Sequence, residues 1–208
     1  MIDIASLVTI RPACPSDVPA IEELHRASVR ELAASHYSSD LLERFLAAGT
    51  LDRGLIDAGT YYLAEIVGLP VGSGGWMAVD ARPDGPWRAR IRSVFVHPTW
   101  ARHGIGRRLV LNAETEAARA GFTHFELEAT LSGVPLYQHL GYREVQHCGY
   151  PLPDGTALPV IRMAKALTRM ECRAGGSPEA GLAEGPRERS AQSMTCWPPS
   201  MPSTSAVT

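Results

Sequence analysis

The sequence predicts a mixed α/β fold built on a central, mostly antiparallel twisted sheet with helices packed against it. Three observations lead there. Apolar residues alternate at strand spacing in some stretches and recur at helical spacing in others, in the order β-α-α-β-β-β-α-β-α-β-β. Turn signals at Gly68-Leu69-Pro70 and Pro153-Asp154-Gly155 separate neighbouring strand candidates, as in antiparallel hairpins. One strand candidate, 89–97, reaches the next, 124–129, through a helix, and a helical crossover makes such strands parallel neighbours.

Taken in order, residues 4–11 form the first strand, with Leu7, Val8 and Ile10 as its apolar positions. Ser16 or Asp17 is placed to cap a helix through its side-chain oxygen, and Pro19 fits the first helical turn. Ile21, Leu24, Ala27 and the run from Val29 to Leu32 carry that helix. Ser38 or Ser39 starts a second helix with Leu41, Leu42, Phe45 and Leu46, and Gly49 lies just beyond it. Residues 60–67 and 71–79 are β-rich, and 89–97 is a strand closed by Pro98. A helix over 104–120 stops at Gly121. Strand 124–129, a short helix 134–140 stopped by Gly141, and strands 142–150 and 158–165 complete the fold. These elements define a domain over residues 1–167. Residues 168–208 lose all periodicity and are rich in Gly, Pro and Ser. Such a composition buries too little apolar surface to offset ordering entropy, so a disordered tail is expected.

Composition narrows the function. A chain of 208 residues that is 45% hydrophobic and 20% charged can build a full core. Its net charge of -2 supplies no strong field for nucleic acid or an anionic membrane, and neither is expected as a partner. No apolar run approaches the roughly 20 residues a membrane span needs. The N-terminus has no signal-peptide pattern, so the expected compartment is the cytoplasm. Cys14, Cys148, Cys172 and Cys196 form no CxxC pair and have no neighbouring His at zinc-site spacing. Free thiols and no metal are expected.

The informative segment runs from Val94 to Arg108, where a strand passes through a proline turn into a helix whose start holds Gly104 and Gly106. Glycine lets a ligand approach the backbone closely. The first amides of a helix have no intrahelical partners and point outward with the positive end of the dipole. That combination suits a pyrophosphate. A dinucleotide fingerprint is excluded because Leu109 stands where a third small residue is needed. A Walker loop is excluded because GK[ST] is absent.

Ala101-Arg102-His103-Gly104-Ile105-Gly106 resembles the acyl-CoA-binding motif of the GCN5-related N-acetyltransferase (GNAT) superfamily, Arg/Gln-x-x-Gly-x-Gly/Ala, with Ala101 in place of the usual Arg or Gln. Downstream, Tyr137-Gln138-His139-Leu140-Gly141-Tyr142 resembles that family's Tyr-x-x-x-Gly-Phe/Tyr segment. The likeness spans about residues 7–167. It implies a GNAT fold, with the parallel pair splayed at one end to receive the acyl arm, and acetyl-CoA as co-substrate. It further implies that Val94, Phe95 and Val96 line the pantetheine arm, with the Val96 N–H polarising the thioester carbonyl. Ala101, Arg102, His103, Gly104, Ile105 and Gly106 would wrap the pyrophosphate. Arg107, with Arg108, would reach the phosphates or face solvent. Tyr137 would be the general acid, or else a packing residue near the sulfur.

The general base stays open. Glu in some relatives is replaced here by Arg90, which cannot act as a base. Glu65, Glu126, Glu128, His97 or a water chain are the alternatives. Arg90 and Arg92 share a strand face and can bind a carboxylate or phosphate of the acceptor, or make surface ion pairs. Glu128, Tyr37, Tyr61 and Trp76 are further candidates for the acceptor side, with core packing the other reading for Trp76. The expected activity is acetyl transfer to a primary amine of a small molecule or peptide. The alternative is a catalytically silent acyl-CoA-binding sensor or interaction module. Neither the acceptor nor the oligomeric state can be read from the residues.

Overall fold

The computed structural model describes residues 7–79 and 87–167. Strand β1 (Val8–Pro12) leads through a 3-10 turn (Pro15–Asp17) into helix α1 (Val18–Leu32). Pro19 sits in the first turn of α1, where its missing N–H costs little. The expected side-chain cap from Ser16 or Asp17 is not made at α1. The Asp17 carboxylate is taken instead by the Arg11 guanidinium, at 2.7 and 2.9 Å, and by the Cys14 N–H at 2.9 Å. Those bonds hold the carboxyl of Asp17 well below the usual carboxylate range. Helix α2 (Ser39–Ala47) is capped by Ser38, whose hydroxyl accepts the Leu41 N–H at 3.3 Å.

A third helix, α3 (Arg53–Asp57), is absent from the sequence reading. Five residues are too few to display a helical period. It forms because the Asp52 carboxylate accepts the Gly54 N–H at 3.1 Å. Strands β2 (Tyr61–Ile66) and β3 (Leu69–Ala78) form a hairpin whose turn is Val67-Gly68, one residue earlier than the glycine-proline signal suggested. Both turn residues have positive φ, 50° and 77°, as a two-residue hairpin turn demands. Pro70 falls inside β3 opposite Glu65, where a bulge takes up the irregularity.

Strand β4 (Arg88–Val96) is followed by a 3-10 turn (Pro98–Trp100) and by α4 (Ile105–Arg119). Strand β5 (His124–Thr130), the short helix α5 (Val134–His139) and strands β6 (Arg143–Pro151) and β7 (Ala157–Ala166) follow. The seven strands form one sheet in the order β1-β2-β3-β4-β5-β7-β6. Every pairing is antiparallel except β4 with β5.

Each face of the sheet has its own helix layer. Ala89, Ile91, Phe125, Leu127 and Met163 pack against Val110, Ala113 and Ala117 of α4 on one face. On the other, Tyr61 and Leu63 meet Val18 and Ile21 of α1 and Leu55 and Ile56 of α3. Val29, Leu42 and Phe45 meet Leu158 and Val160 of β7 on that same side. A fully buried aliphatic or aromatic side chain contributes about 1.5–3 kcal/mol, so burial on both faces holds β4 and β5 at fixed positions. The expected tail, 168–208, lies outside the described residues. Among the described residues no helix is long and apolar enough to cross a membrane.

Candidate active site

The parallel strands β4 and β5 are paired over only three residues: Arg88 with His124, Ala89 with Phe125 and Arg90 with Glu126. Beyond Arg90 they part. An ion pair clasps the joined end, where the Arg90 Nε donates to Glu126 Oε1 at 2.9 Å and Arg88 reaches the same carboxylate at 3.4 Å. The parted half of β4 carries Val94, Phe95 and Val96 and runs directly into the glycine loop.

Alternation along β4 determines which amides face the split. The His97 N–H donates to the Val71 carbonyl at 2.9 Å, and Val96 lies opposite Gly72. Successive N–H groups on a strand point to opposite sides. The Val96 N–H is therefore turned away from β3, toward the opening. The side chains of Val94 and Val96 pack beside Ile105 and Leu109, and Phe95 points to the opposite face.

The loop after β4 is bent by two residues in the left-handed region, Arg102 at φ 67° and Gly104 at φ 78°. Gly104 is the N-cap of α4, and a side chain there would meet open space. At Gly106 an added Cβ would lie 3.2 Å from Leu136 and 3.5 Å from Val96, so this glycine keeps the helix start close to both β4 and α5. The His103 Nδ1–H donates to the Ala101 carbonyl at 2.8 Å and tightens the turn. Ala101 is half-buried, Ile105 is buried, and Arg102, His103 and Arg107 are exposed around them. The first amides of α4 thus emerge next to the parted end of β4, flanked by guanidinium groups. This arrangement can hold a pyrophosphate.

Tyr137, in α5, is 8% exposed and packs edge-to-face on Tyr142 with ring centroids 5.8 Å apart. Burial pushes its phenol above the ordinary range, so it keeps its proton at neutral pH. The acceptor candidates scatter. Trp76 is buried against Phe122 on the α4 face, at 5.4 Å between centroids, in the core-packing role. Tyr61 is buried under β3 and β4. Tyr37 donates to the Pro159 carbonyl at 2.7 Å and accepts the Leu131 N–H at 2.8 Å, bridging the end of β5 to the start of β7. Arg90 is committed to Glu126, and Glu128 takes Arg162 at 3.3 Å. Arg92 is held more loosely, with Met77 Sδ at 3.5 Å and Asp52 at 3.6 Å.

Each carboxylate considered as a general base carries an arginine: Glu65 with Arg11 at 2.8 Å, Glu126 with Arg90, and Glu128 with Arg162. His97 accepts the Thr99 N–H at 3.3 Å and serves as the cap of the 3-10 turn. Sequence reasoning missed a buried polar cluster beneath β4, formed by His25, Tyr61, Ser73 and Ser93. Its trace was the presence of His25 and Ser28 on the stripe otherwise filled by Ile21 and Leu24.

The acetyltransferase (GNAT) domain model matches residues 57–144, the stretch that contains β4, the glycine loop and Tyr137. No curated protein is matched by the sequence. Among solved structures, a GCN5-related N-acetyltransferase from Rhodopseudomonas palustris is 23% identical with a TM-score of 0.65, covering 80% of this chain and 99% of its own. The PaiA N-acetyltransferase from Thermoplasma acidophilum in complex with coenzyme A is 17% identical with a TM-score of 0.62, covering 77% and 99%. The yncA structure from Salmonella typhimurium with its cofactor acetyl-CoA is 21% identical with a TM-score of 0.55, covering 84% and 99%. These likenesses establish the fold. The domain model lies over the split strand pair and the glycine-led helix, so this stretch of the chain is similar to the GNAT acetyltransferase domain.

Proposed function

We propose that this chain transfers an acetyl group from acetyl-CoA to a primary amine of a small molecule or peptide by direct attack. The observation that carries the reading is the pair β4 and β5, joined for three residues and parted immediately above a helix N-terminus that opens on a left-handed glycine. Ala101 to Arg107 take the pyrophosphate. The backbone of Val94, Phe95 and Val96 takes the pantetheine arm. The Val96 N–H donates to the thioester oxygen as negative charge develops there.

In the step itself the amine nitrogen bonds to the thioester carbon and the C–S bond breaks. The ammonium proton leaves to solvent, since the nearby carboxylates are already paired with arginines. The CoA thiolate receives a hydrogen bond, then a proton, from Tyr137. Arg92 is the acceptor-side group with a guanidinium only loosely engaged, so an acceptor bearing its own carboxylate or phosphate fits best.

That Glu65, Glu126 and Glu128 are each taken by an arginine also motivates the second reading, a silent acyl-CoA sensor. Thiol release with a panel of amines, run beside calorimetric titration of CoA, separates the two. Turnover with at least one acidic amine supports the transferase. Tight CoA binding without any turnover across the panel supports the sensor.

A further inference from the structure

Strand β4 carries an extra residue at the point where it leaves β5. Ser73 lies opposite Phe95 and Gly75 opposite Arg92, so one residue of β3, Gly74, is matched by two of β4, Ser93 and Val94. Ser93, in that bulge, has φ 50°, a left-handed conformation that a residue other than glycine holds only when its surroundings impose it. Two bonds do so. Its hydroxyl donates to the Thr50 carbonyl at 2.9 Å, and its carbonyl accepts the Tyr61 hydroxyl at 3.0 Å.

Those two partners are joined by a third residue. His25 of α1 is fully buried. Its Nδ1 lies 2.8 Å from Thr50 Oγ1, and its Nε2 lies 3.1 Å from the Tyr61 hydroxyl and 2.9 Å from Ser73 Oγ. The chain of bonds therefore closes on itself through His25, Thr50, Ser93 and Tyr61. Gly75 makes room for it, since a Cβ there would lie 2.7 Å from the Tyr61 ring. The peptide bond is planar and trans, so its C=O and N–H point in opposite directions. Gripping the Ser93 carbonyl from beneath the sheet thereby turns the Val94 N–H away from the His25–Tyr61 side.

We infer that His25, Tyr61 and Ser73 are positioning residues, which lock the bulge at Ser93 so that the amides of Val94 and Val96 are held at the angle that polarises the thioester carbonyl. The inference rests on the transferase reading above. Burial pushes the imidazole down to about 3, so the ring stays neutral and the network is unchanged at working pH. A neutral ring offers one donor and one acceptor, one nitrogen facing the Thr50 hydroxyl and the other facing the hydroxyls of Tyr61 and Ser73.

The test uses acetyl-CoA labelled with carbon-13 at the thioester carbonyl. Its infrared stretch in the complex reports polarisation directly. Wild-type protein should lower that frequency relative to free acetyl-CoA. Tyr61→Phe, which keeps the ring, and His25→Gln should lose most of that lowering. Their kcat should fall by about tenfold to a hundredfold, the scale of a misplaced oxyanion donor, while the KM for acetyl-CoA stays within about twofold of wild type, as expected when binding itself is untouched. Ser93→Gly is the variant most certain to fold, because glycine accepts φ 50° without strain. It should behave the same way, since it frees the bulge.

Tyr62→Phe removes a hydroxyl on the opposite face of β2 and should change neither readout. A wild-type shift retained by Tyr61→Phe, His25→Gln and Ser93→Gly alike would overturn the inference and leave the transferase reading standing. Wild-type protein that binds no acetyl-CoA, or binds it with no shift, would overturn both.

Discussion

Tyr137 carries the clearest claim at the scale of single residues. An ordinary thiol titrates near 8.5, and burial raises this phenol above its normal value, so proton transfer to the thiolate is uphill even once the sulfur has left and is completed only as the phenolate regains a proton from solvent. Tyr137→Phe keeps the ring and removes only the donor. Single-turnover measurement should show a loss of about 10² to 10⁴ in the transfer step if the phenol is the acid, with CoA affinity little changed. A small loss confined to binding would mean that it only seats the sulfur. His25 makes a separate prediction about stability. Its folded value near 3 lies below the unfolded value near 6.5, so the unfolded chain binds more protons between those limits. Its contribution is complete above about pH 6.5 and is lost as pH falls toward 3. Urea unfolding should show wild type losing up to about 1.4 kcal/mol per pH unit more than His25→Gln across that window. Parallel profiles would contradict the assignment. Tyr137 was legible because a tyrosine four residues before a Gly-Tyr pair, just after a strand, is a local pattern. His25 was not, because a histidine on an apolar helical stripe reads as packing until Thr50, Tyr61 and Ser73 are brought to it from other elements.

At the scale of elements, the glycine-led start of α4 separates two kinds of effect. Gly104 holds φ 78° with open space around it, so Gly104→Ala should cost about 1 to 2 kcal/mol of stability through backbone strain. Gly106 has an ordinary backbone and close neighbours in Leu136 and Val96. Gly106→Val should abolish calorimetric CoA binding in protein that still folds, because the branched side chain presses on Leu136 and Val96 and drives the helix start away from the parted strand. Unchanged affinity would reduce the loop to a helix entry. Strand and helix order was readable from periodicity because each long element buries one face. Three details were not. α3 is too short to show a period. The hairpin turn uses Val67 where glycine would be expected. The cap of α1 loses its carboxylate to Arg11. In the last two, a tertiary contact or strand register overrides the local preference of the residues.

At the scale of the whole molecule, the sheet must hold α4 firmly if the helix start is to stay beside the parted strands. Glu114 of α4 and Lys165 of β7 form a 2.8 Å ion pair in which both side chains are largely buried. Removing one partner strands the other charge in the interior, so Glu114→Ala should cost about 3 to 5 kcal/mol in urea unfolding. Truncating Arg30 in the exposed pair Arg30–Glu43 should leave stability nearly unchanged, because solvent screens both charges. The parallel pairing of β4 and β5 was legible from the helix between them. The exact point of divergence was not, because it depends on the Arg90–Glu126 clasp and on a bulge whose partners lie on other strands. The central claim is that the parted half of β4 and the first turn of α4 together receive acetyl-CoA. Amide hydrogen–deuterium exchange with and without acetyl-CoA tests it most directly. The account predicts slowed exchange concentrated at residues 94–96 and 102–107. Protection that misses both segments, or none at saturating acetyl-CoA, would contradict it.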